Sequence, residues 1–292
     1  MAETLKVPFT YCWSPALIPK PNDWPEHIGE WRRYKVVQTL ALTETNTRAQ
    51  DVCGFFFRDP PKFTPDPELA RFLEAGPPPV YIGFGSIVIN DPEALTAMLL
   101  EAVKATGVRA IISRGWSNLG ANRVSDDNVF YLGDCPHEWL FQHVSAVVHH
   151  GGAGTTACGL LNGRPTLVIP YFGDQPFWGD MVAAAGAGPS PIPQKQLNAA
   201  NLAEAIRFCL RPEVSAAAQK MAAQMRSEAG VRRAVASFHA NLPLERMRCD
   251  VLPRLAASWS LKTSHGRKVK LSKEAAQVLA AEGRVKWSDL KP

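Results

Sequence analysis

The sequence predicts an α/β protein built on a doubly wound, mostly parallel sheet. From residue 79 onward, short apolar runs alternate with segments of helical apolar spacing, and glycine-rich turns follow two of the runs. This alternation is typical of βαβ units, in which helices cover both faces of the sheet. The chain has 292 residues, of which 46% are hydrophobic, so it is long enough to bury a sizeable core.

Five strands and the helices that follow them can be placed from the apolar pattern. The strands are predicted at 80–84, 108–113, 128–133, 145–150 and 165–170. A helix is predicted at 91–106, because Asp91 can cap it and Pro92 suits its first turn. Further helices are predicted in PHEWLFQH, TTACGLLNG, PFWGDMVAAAG, NLAEAIRFCL and VSAAAQKMAAQMRSEAG, and the last predicted helix lies in LSKEAAQVLAAEG.

Charge and composition favour some partners over others. The formal net charge is +5. The basic residues cluster at Arg32, Arg33 and Lys35 and again at Lys262, Arg267, Lys268 and Lys270. Such clusters favour anionic ligands or anionic lipid heads, or they are a solvated face. No basic stripe interleaves with aromatic residues in the core region, so we expect no nucleic-acid partner.

The six cysteines are scattered and include no CxxC pair. This spacing argues against a zinc site and against a disulfide scaffold, so we expect no metal and a reducing, cytoplasmic location. The first residues lack an apolar signal core, and no run of about 18 apolar residues occurs anywhere in the chain. We therefore expect contact with a membrane to be peripheral.

The segment HHGGAGTT predicts a phosphate-binding turn. Its two histidines end a predicted strand, and Thr155 and Thr156 open the next helix. Glycines let backbone N–H groups approach a ligand closely, and a helix N-terminus attracts anions. A second glycine turn, GFGS, places Ser86 where it could close on the same ligand. Without the residues around them, both turns would be read as plain strand-to-helix connections.

The pair Asp174 and Gln175 follows the next strand, so both side chains are expected at the same edge of the sheet. A carboxylate and an amide together can accept from and donate to adjacent sugar hydroxyls. A phosphate-binding turn and a pair of residues that can bind sugar hydroxyls lie one βα unit apart. Together they predict a nucleotide-sugar site.

These motifs resemble a known family. HHGGAGTT, followed by PYFGDQPFWG and preceded by GDCPHEWLF, resembles the donor-binding signature of GT-B family 1 glycosyltransferases. Within that family the chain looks most like the fungal sterol 3-beta-glucosyltransferases, which YCWSPALIPKPNDWP, VCGFFF, FHANLPLERMRCDVLP and VKWSDL also resemble. The resemblance covers nearly the whole chain except about residues 27–50, and it is densest over 80–243.

The resemblance implies a Rossmann-like C-terminal half of a GT-B enzyme. Residues 1–78 would be the end of the acceptor domain and the interdomain linker, with an atypical insertion around 27–50. Residues 79–243 would be the donor-binding domain, and residues 244–292 a C-terminal tail extension. Enzymes of this kind move glucose from UDP-glucose to a sterol 3-hydroxyl with inversion and without an essential metal. UDP-glucose would be the donor substrate, and no separate cofactor is implied.

The same resemblance assigns residues to parts of the donor. The diphosphate-binding residues would be Ser86, His150, Gly152, Gly154, Thr155 and Thr156. Asp174 and Gln175 would bind glucose hydroxyls, and Trp116, Cys135 and His137 are candidates for the uridine end. The catalytic base would belong to the acceptor domain, so no residue of this sequence is assigned that role.

Two positions depart from the family pattern. Asp134 stands where many members have an aromatic residue that stacks on uracil, and Cys158 stands where many have a glutamate for the ribose hydroxyls. Three alternatives remain open: another lipid or small-molecule acceptor, a non-catalytic nucleotide-sugar-binding module, and a product that does not fold. The last would leave Phe55, Phe56, Phe57, Trp13 and Trp24 exposed without a partner.

Overall fold

The computed structural model describes residues 10–21, 52–121 and 123–292. These residues form two compact units, one comprising 10–21 with 52–235 and the other comprising 236–292. The second unit therefore begins eight residues before the predicted tail, and the described parts of 1–78 belong to the first unit. Among the described helices, none combines the length and apolar character that crossing a bilayer requires.

The first unit contains the predicted parallel sheet. Its strands are β1 (Val80–Gly83), β2 (Ala110–Ser113), β3 (Val129–Leu132), β4 (Ala146–His149) and β5 (Thr166–Val168). They are ordered β3-β2-β1-β4-β5, and every neighbouring pair is parallel. The strand order reverses between β1 and β4. In such sheets a crevice opens at that reversal, beyond the carboxyl ends of the strands.

Helices flank the sheet on both sides. In chain order they are α1 (Pro67–Glu74), α2 (Pro92–Thr106), α3 (His137–Leu140), α4 (Ala153–Leu161), α5 (Gln175–Ala184), α6 (Ala199–Cys209), α7 (Pro212–Ser227) and α8 (Gly230–Asn241). The predicted cap of α2 is confirmed, because Asp91 Oδ1 accepts from the Ala94 N–H at 2.9 Å.

Successive residues of β1 belong to different hydrophobic cores. Ile82 packs in a cluster with residues of α2 and α6, such as Leu99 and Ile206. Tyr81 packs in a separate cluster with Leu140 of α3 and residues of α1. Because successive strand residues point to opposite faces, the two clusters show that the sheet is covered on both sides. The predicted doubly wound α/β class is therefore confirmed.

The described part of residues 1–78 packs against the sheet domain, which differs from the exposed aromatic residues that the alternative of an unfolded product implies. Phe55 is buried together with Leu17 in a cluster that includes Trp178 of α5. Phe56 alone among the large apolar residues of 55–57 is well exposed, at 54%. Trp24 lies outside the described residues. Val52 pairs with Tyr11 in a parallel bridge, so the segments on either side of 22–51 meet.

The second unit contains α9 (Leu244–Met247) and α10 (Lys273–Ala281) beside a three-stranded sheet that the sequence did not predict. The sheet consists of β6 (Trp259–Lys262), β7 (Lys268–Leu271) and β8 (Leu290–Lys291), in the order β7-β6-β8 with antiparallel pairs. The predicted helix in LSKEAAQVLAAEG is present as α10. Its Ala275 and Ala276 pack with Leu271 and Leu290 in a small core.

Arg109 joins α1 to the sheet domain. Its guanidinium is nearly buried, stacks 4.0 Å above the ring of Phe72 and donates to the carbonyls of Phe72, Pro77 and Asp127. The bond to Phe72 is buried and the other two are partly buried, so three main-chain acceptors share one side chain as their donor.

We predict that Arg109→Met destabilises the protein by about 3 kcal/mol, because the Phe72 carbonyl stays buried without its donor and two partly buried hydrogen bonds are lost. Urea unfolding would measure the loss. Arg207→Met is the matched control, since Arg207 is exposed and donates only to the Ala105 carbonyl. It should cost at most about 0.5 kcal/mol. Equal effects of the two substitutions would show that the buried carbonyls do not need Arg109.

Candidate functional site

Two glycine turns meet at the reversal of strand order. Gly85 follows β1 with φ +59°, and Gly151 follows β4 with φ +91°, both in a region that favours glycine. The His150 ring lies between the turns. A β-carbon added at Gly85 would lie 3.5 Å from His150 Cε1, and one added at Gly152 would lie 2.7 Å from His150 Nε2. The structure thus brings together the GFGS and HHGG turns, and the exposed Ser86 lies on the first of them.

A third loop contacts the same place. The backbone N–H of Trp116 donates to the Gly85 carbonyl at 3.0 Å, so the loop after β2 is joined to the turn after β1. The Trp116 side chain is 78% exposed. The Trp116 ring is therefore not packed into the loop, although its backbone holds the loop in place.

The N-terminus of α4 opens into this crevice. Gly152 is its N-cap residue, and no side chain of the described residues caps it. The N–H groups of residues 153–155 precede the first internal bond of the helix, which runs from the Thr156 N–H to the Gly152 carbonyl. Unpaired amides at a helix N-terminus carry partial positive charge and bind anions. Gly154 is exposed and Thr155 half-buried, so both lie within reach of a ligand.

Thr156 differs from the expectation. Its side chain is fully buried, and its hydroxyl donates to the Gly152 carbonyl at 3.0 Å. That hydroxyl closes the first turn of α4 and is turned away from solvent. Thr156 therefore supports the turn from within and adds no exposed donor to the predicted diphosphate site.

His149 is the buried support of the glycine turn. Its ring is 0% exposed, and its Nδ1 accepts from the Gly151 N–H at 3.0 Å. Because Nδ1 accepts, the neutral ring carries its hydrogen on Nε2, which has no partner among the described residues. Burial, with smaller contributions from His150 and His137, lowers the pKa of His149 to about 3. The ring is therefore neutral throughout the physiological range.

His150 lies at the surface of the same turn. Burial lowers the pKa of His150 below its ordinary value, so it too is mainly neutral near pH 7. Its Nδ1 is buried and has no hydrogen-bond partner in the described structure. A polar atom left without a partner beside an open helix N-terminus fits a site that a ligand completes.

The two predicted sugar-binding residues lie where the loop after β5 enters α5, and they differ in burial. Gln175 is 4% exposed, and its Oε1 accepts from the N–H groups of Tyr171 and Phe172 at 2.7 and 3.1 Å. The side-chain oxygen of Gln175 is therefore used within the loop, and only its NH₂ group remains for a ligand. Asp174 is exposed, and one of its oxygens accepts from Trp178 Nε1 at 2.7 Å.

Trp178 in turn packs on Phe55, with ring centres 5.7 Å apart. Sequence reasoning did not find this support for Asp174. The spacing of four residues between Asp174 and Trp178 at the start of a helix was the available signal, because such residues lie on one face. Nothing in the sequence identified Phe55 as the third member.

A cleft of about 640 Å³ lies beside the α4 N-terminus. Gly154 and Thr155 line it together with Cys135 and His137, two of the three residues predicted for the uridine end. Trp116 does not line this cleft. Cys158, which stands in the family position for the ribose contact, is also in its wall. Burial raises the pKa of Cys135 to about 11 and that of Cys158 to about 12, so both are neutral thiols.

His137 offers a ligand less surface than the sequence suggested. Its ring stacks on Phe141 with centres 4.7 Å apart, and its Nε2 lies 3.0 Å from the hydroxyl of Tyr81. Burial lowers the pKa of His137 as well. The imidazole is thus packed on one face and hydrogen-bonded at one nitrogen, which makes it part of the cleft wall.

The outer side of the cleft comes from residues that sequence reasoning did not assign to the site. Phe56 lines it with an exposed ring, and Arg58 binds the carboxylate of Glu138 at 2.6 Å across it. The exposed Phe56 ring gives the cleft an aromatic surface. No group of three His, Cys, Asp or Glu residues that could hold a metal occurs in the described ranges.

Comparison with known proteins identifies relatives of this domain. Residues 98–238 match the family model of the erythromycin biosynthesis protein CIII-like C-terminal domain. A sterol 3-beta-glucosyltransferase of Arabidopsis thaliana is 45% identical over 242 residues, which is 82% of this chain and 36% of that protein. A second one from the same plant is 41% identical over 89% of this chain and 38% of its own length. The sterol 3-beta-glucosyltransferase of Yarrowia lipolytica is 37% identical over 84% of this chain and 16% of that protein.

Solved structures agree with the fold. The glycotransferase of kitacinnamycin aligns with a TM-score of 0.51 at 20% identity, over 68% of this chain and 52% of that one. The spinosyn forosaminyltransferase SpnP aligns with a TM-score of 0.52 at 20% identity, over 64% of this chain and 49% of that one. The chain spans little more than a third of the length of its plant relatives. It is a homologue of the sterol 3-beta-glucosyltransferases and carries, in residues 98–238, a domain of the CIII-like C-terminal type.

Proposed function

We propose that this chain supplies the donor-binding part of an enzyme that transfers glucose from UDP-glucose to the 3-hydroxyl of a sterol, with inversion and without a metal. One observation carries the proposal: both glycine turns of the strand reversal meet at the His150 ring, beside the open N-terminus of α4. The names of the relatives support the sugar and the acceptor. We place the enzyme in the cytoplasm, in peripheral contact with membranes that contain its acceptor.

In this mechanism the chain binds the donor and stabilises the leaving diphosphate. The N–H groups at the start of α4 and the His150 ring donate to the diphosphate oxygens, and Ser86 adds a hydroxyl from the opposite turn. Donors that are already in place when charge develops on the leaving group lower the barrier without reorganising. The positive end of α4 supplies the charge compensation that a metal supplies in other enzymes. Asp174 binds glucose hydroxyls through the oxygen that Trp178 does not use.

The proposal is tested first by calorimetric titration of the full chain with UDP and with UDP-glucose. Both should bind, the sugar nucleotide more tightly. Asp174→Ala should weaken UDP-glucose binding about tenfold, because a carboxylate hydrogen bond to the sugar is lost, and should leave UDP binding nearly unchanged. Trp178→Phe is the matched control, since it removes the Trp178 N–H and keeps the carboxylate; it should have a smaller effect.

Equal weakening of both ligands by Asp174→Ala would remove Asp174 from the sugar subsite. Binding without any transfer, when the acceptor domain of a relative is supplied, would favour the non-catalytic module. Transfer to other lipids but not to sterols would keep the donor site and change the acceptor.

We predict that Gly152→Ala weakens UDP-glucose binding by displacing His150, because the added β-carbon would lie 2.7 Å from His150 Nε2. His150→Ala should itself cost about 1–3 kcal/mol of binding free energy. In the double variant the cost of Gly152→Ala should shrink by about 1 kcal/mol, since the displaced ring is no longer there. Calorimetry on the four proteins measures this coupling. Strict additivity would show that Gly152 acts through the backbone alone.

We predict that stability falls as the pH is lowered from about 6.5 towards 3. An unfolded histidine binds a proton below about 6.5, whereas folded His149 stays neutral down to about 3. The unfolded state therefore holds more protons in this window, so the free energy of unfolding rises with pH and falls on acidification. The full effect of one such group is about 5 kcal/mol. Thermal melting across this pH range measures it.

Two substitutions separate the parts that His149 plays. His149→Asn keeps an acceptor near the Gly151 N–H, and His149→Leu removes it, while both remove the titration. Both variants should flatten the pH dependence of melting, without abolishing it because His137 and His150 shift in the same direction. Only His149→Leu should lose UDP affinity. An unchanged pH dependence in both variants would contradict the assignment of the buried imidazole.

A further inference from the structure

The unit formed by 236–292 carries the positive charge of the whole chain. It contains eleven Lys and Arg against five Asp and Glu, whereas the rest of the sequence contains 21 basic and 22 acidic residues. The formal net charge of +5 is thus not spread over the protein. A small unit of this charge attracts anionic surfaces strongly at physiological ionic strength.

Four of the six lysines of this unit lie on one face of its sheet. In the register of β6 and β7, Lys262 lies opposite Lys268 and Ser260 lies opposite Lys270. Ser260 also lies opposite Lys291 of β8. Because directly opposed residues share a face and alternate residues return to it, Ser260 and the four lysines lie on one side. We call Ser260, Lys262, Lys268, Lys270 and Lys291 the lysine face.

The other side of the same sheet is covered. Trp259, Leu261 and Val269 pack there with Leu271 and Leu290, which contact Ala275 and Ala276 of α10. The lysine face is therefore the open face of the sheet, and Lys262, Lys268 and Lys291 are exposed on it.

This arrangement opposes the stability of the sheet. Like charges placed directly opposite each other on paired strands repel, and Lys262 and Lys268 are such a pair. Lys270 is the exception, since it lies 3.5 Å from Asp250 and donates to the carbonyls of Glu245 and Arg246. Within the described ranges, Lys262, Lys268 and Lys291 form no ion pair. An alternation of lysines and acidic residues would have been more stable, so folding does not explain the pattern.

The surroundings of the lysine face fit a lipid headgroup layer. A shallow groove of about 300 Å³ runs between Ser258, Ser260, Lys268 and Lys270. A broad basic face of this kind is typical of peripheral binding to anionic bilayers. The sterol acceptor of the proposed reaction would also be found in such a bilayer.

We propose that the lysine face binds the anionic surface of a lipid bilayer. The inference rests on the proposed function in one respect: a sterol acceptor makes a membrane the surface on which the enzyme works. Lys262, Lys268 and Lys291 supply the attraction to the bilayer. Lys270 is paired with Asp250 and contributes less. Binding is electrostatic, so it depends on anionic lipid and falls with salt.

The test is sedimentation of the full chain with vesicles of phosphatidylcholine alone and of phosphatidylcholine mixed with phosphatidylserine. The chain should bind the mixed vesicles and release them at high salt. The triple variant Lys262→Gln, Lys268→Gln, Lys291→Gln should bind about 100-fold more weakly, at about tenfold or less per lysine. The matched control is Arg254→Gln, Lys273→Gln, Arg284→Gln, which removes equal charge away from the lysine face and should lose much less.

Two further measurements make each outcome decisive. The lysine-face variant should melt at the same or a higher temperature than the parent, because repulsion is relieved. A lower melting temperature would assign the lysines to folding and overturn the proposal. Equal weakening by both triple variants would show that net charge acts without a specific face. Binding to labelled RNA or DNA that depends on the lysine face, without vesicle binding, would replace the bilayer by a nucleic acid.

UDP titration of the same variants keeps this proposal separate from the proposed function. Vesicle binding that is lost with UDP affinity intact supports the lysine face and leaves the donor site in place. Absence of UDP binding in the parent, with lipid binding present, would contradict the proposed function and leave the surface assignment standing. Failure of the parent to prefer mixed vesicles would overturn the inference, whatever the donor result.

Discussion

The site depends on one buried hydrogen bond, from the Gly151 N–H to Nδ1 of His149. The chain must turn from the end of β4 into α4 within a few residues, and Gly151 makes that turn in a left-handed conformation. A backbone N–H in such a turn needs a partner, because burial without one is costly. His149 supplies it from within the sheet. The direction in which the amides of α4 point is therefore set by a side chain that no ligand touches.

The neutrality of the histidines follows from the same arrangement. His149, His150 and His137 all lie near the carboxyl end of β4, and burial lowers the pKa of each. Three imidazolium ions so close together would repel one another and would need water that the core excludes. Neutral rings leave the partial charges of the α4 N-terminus as the main attraction for an anion. In the proposed donor site, a diphosphate would be bound by the end of a helix dipole rather than by a fixed charge pair.

The sequence was sufficient wherever structure is set locally. All five strands of the parallel sheet and the cap at Asp91 follow from apolar runs and from residues within one helical turn. The convergence of GFGS and HHGG followed as well, because parallel strands bring their carboxyl ends to one edge. Thr156 and Gln175 were assigned as ligands from their place in the motifs and from the family resemblance. Their hydrogen bonds to the backbone depend on which way each side chain turns, and spacing does not encode that direction.

What sequence reasoning missed depends on contacts between distant parts of the chain. Phe55 lies in a proline-rich stretch that predicts no core, yet it packs on Trp178, which bonds Asp174. The sheet of residues 259–291 was missed because its alternation of lysine and apolar residues over four positions is too short to distinguish from a loop. That same alternation places Lys262, Lys268 and Lys291, which have no acidic partner among the described residues, on one face. A basic cluster that looks like a solvated tail in the sequence becomes, once the strands are paired, a flat surface of one sign whose repulsion the fold tolerates.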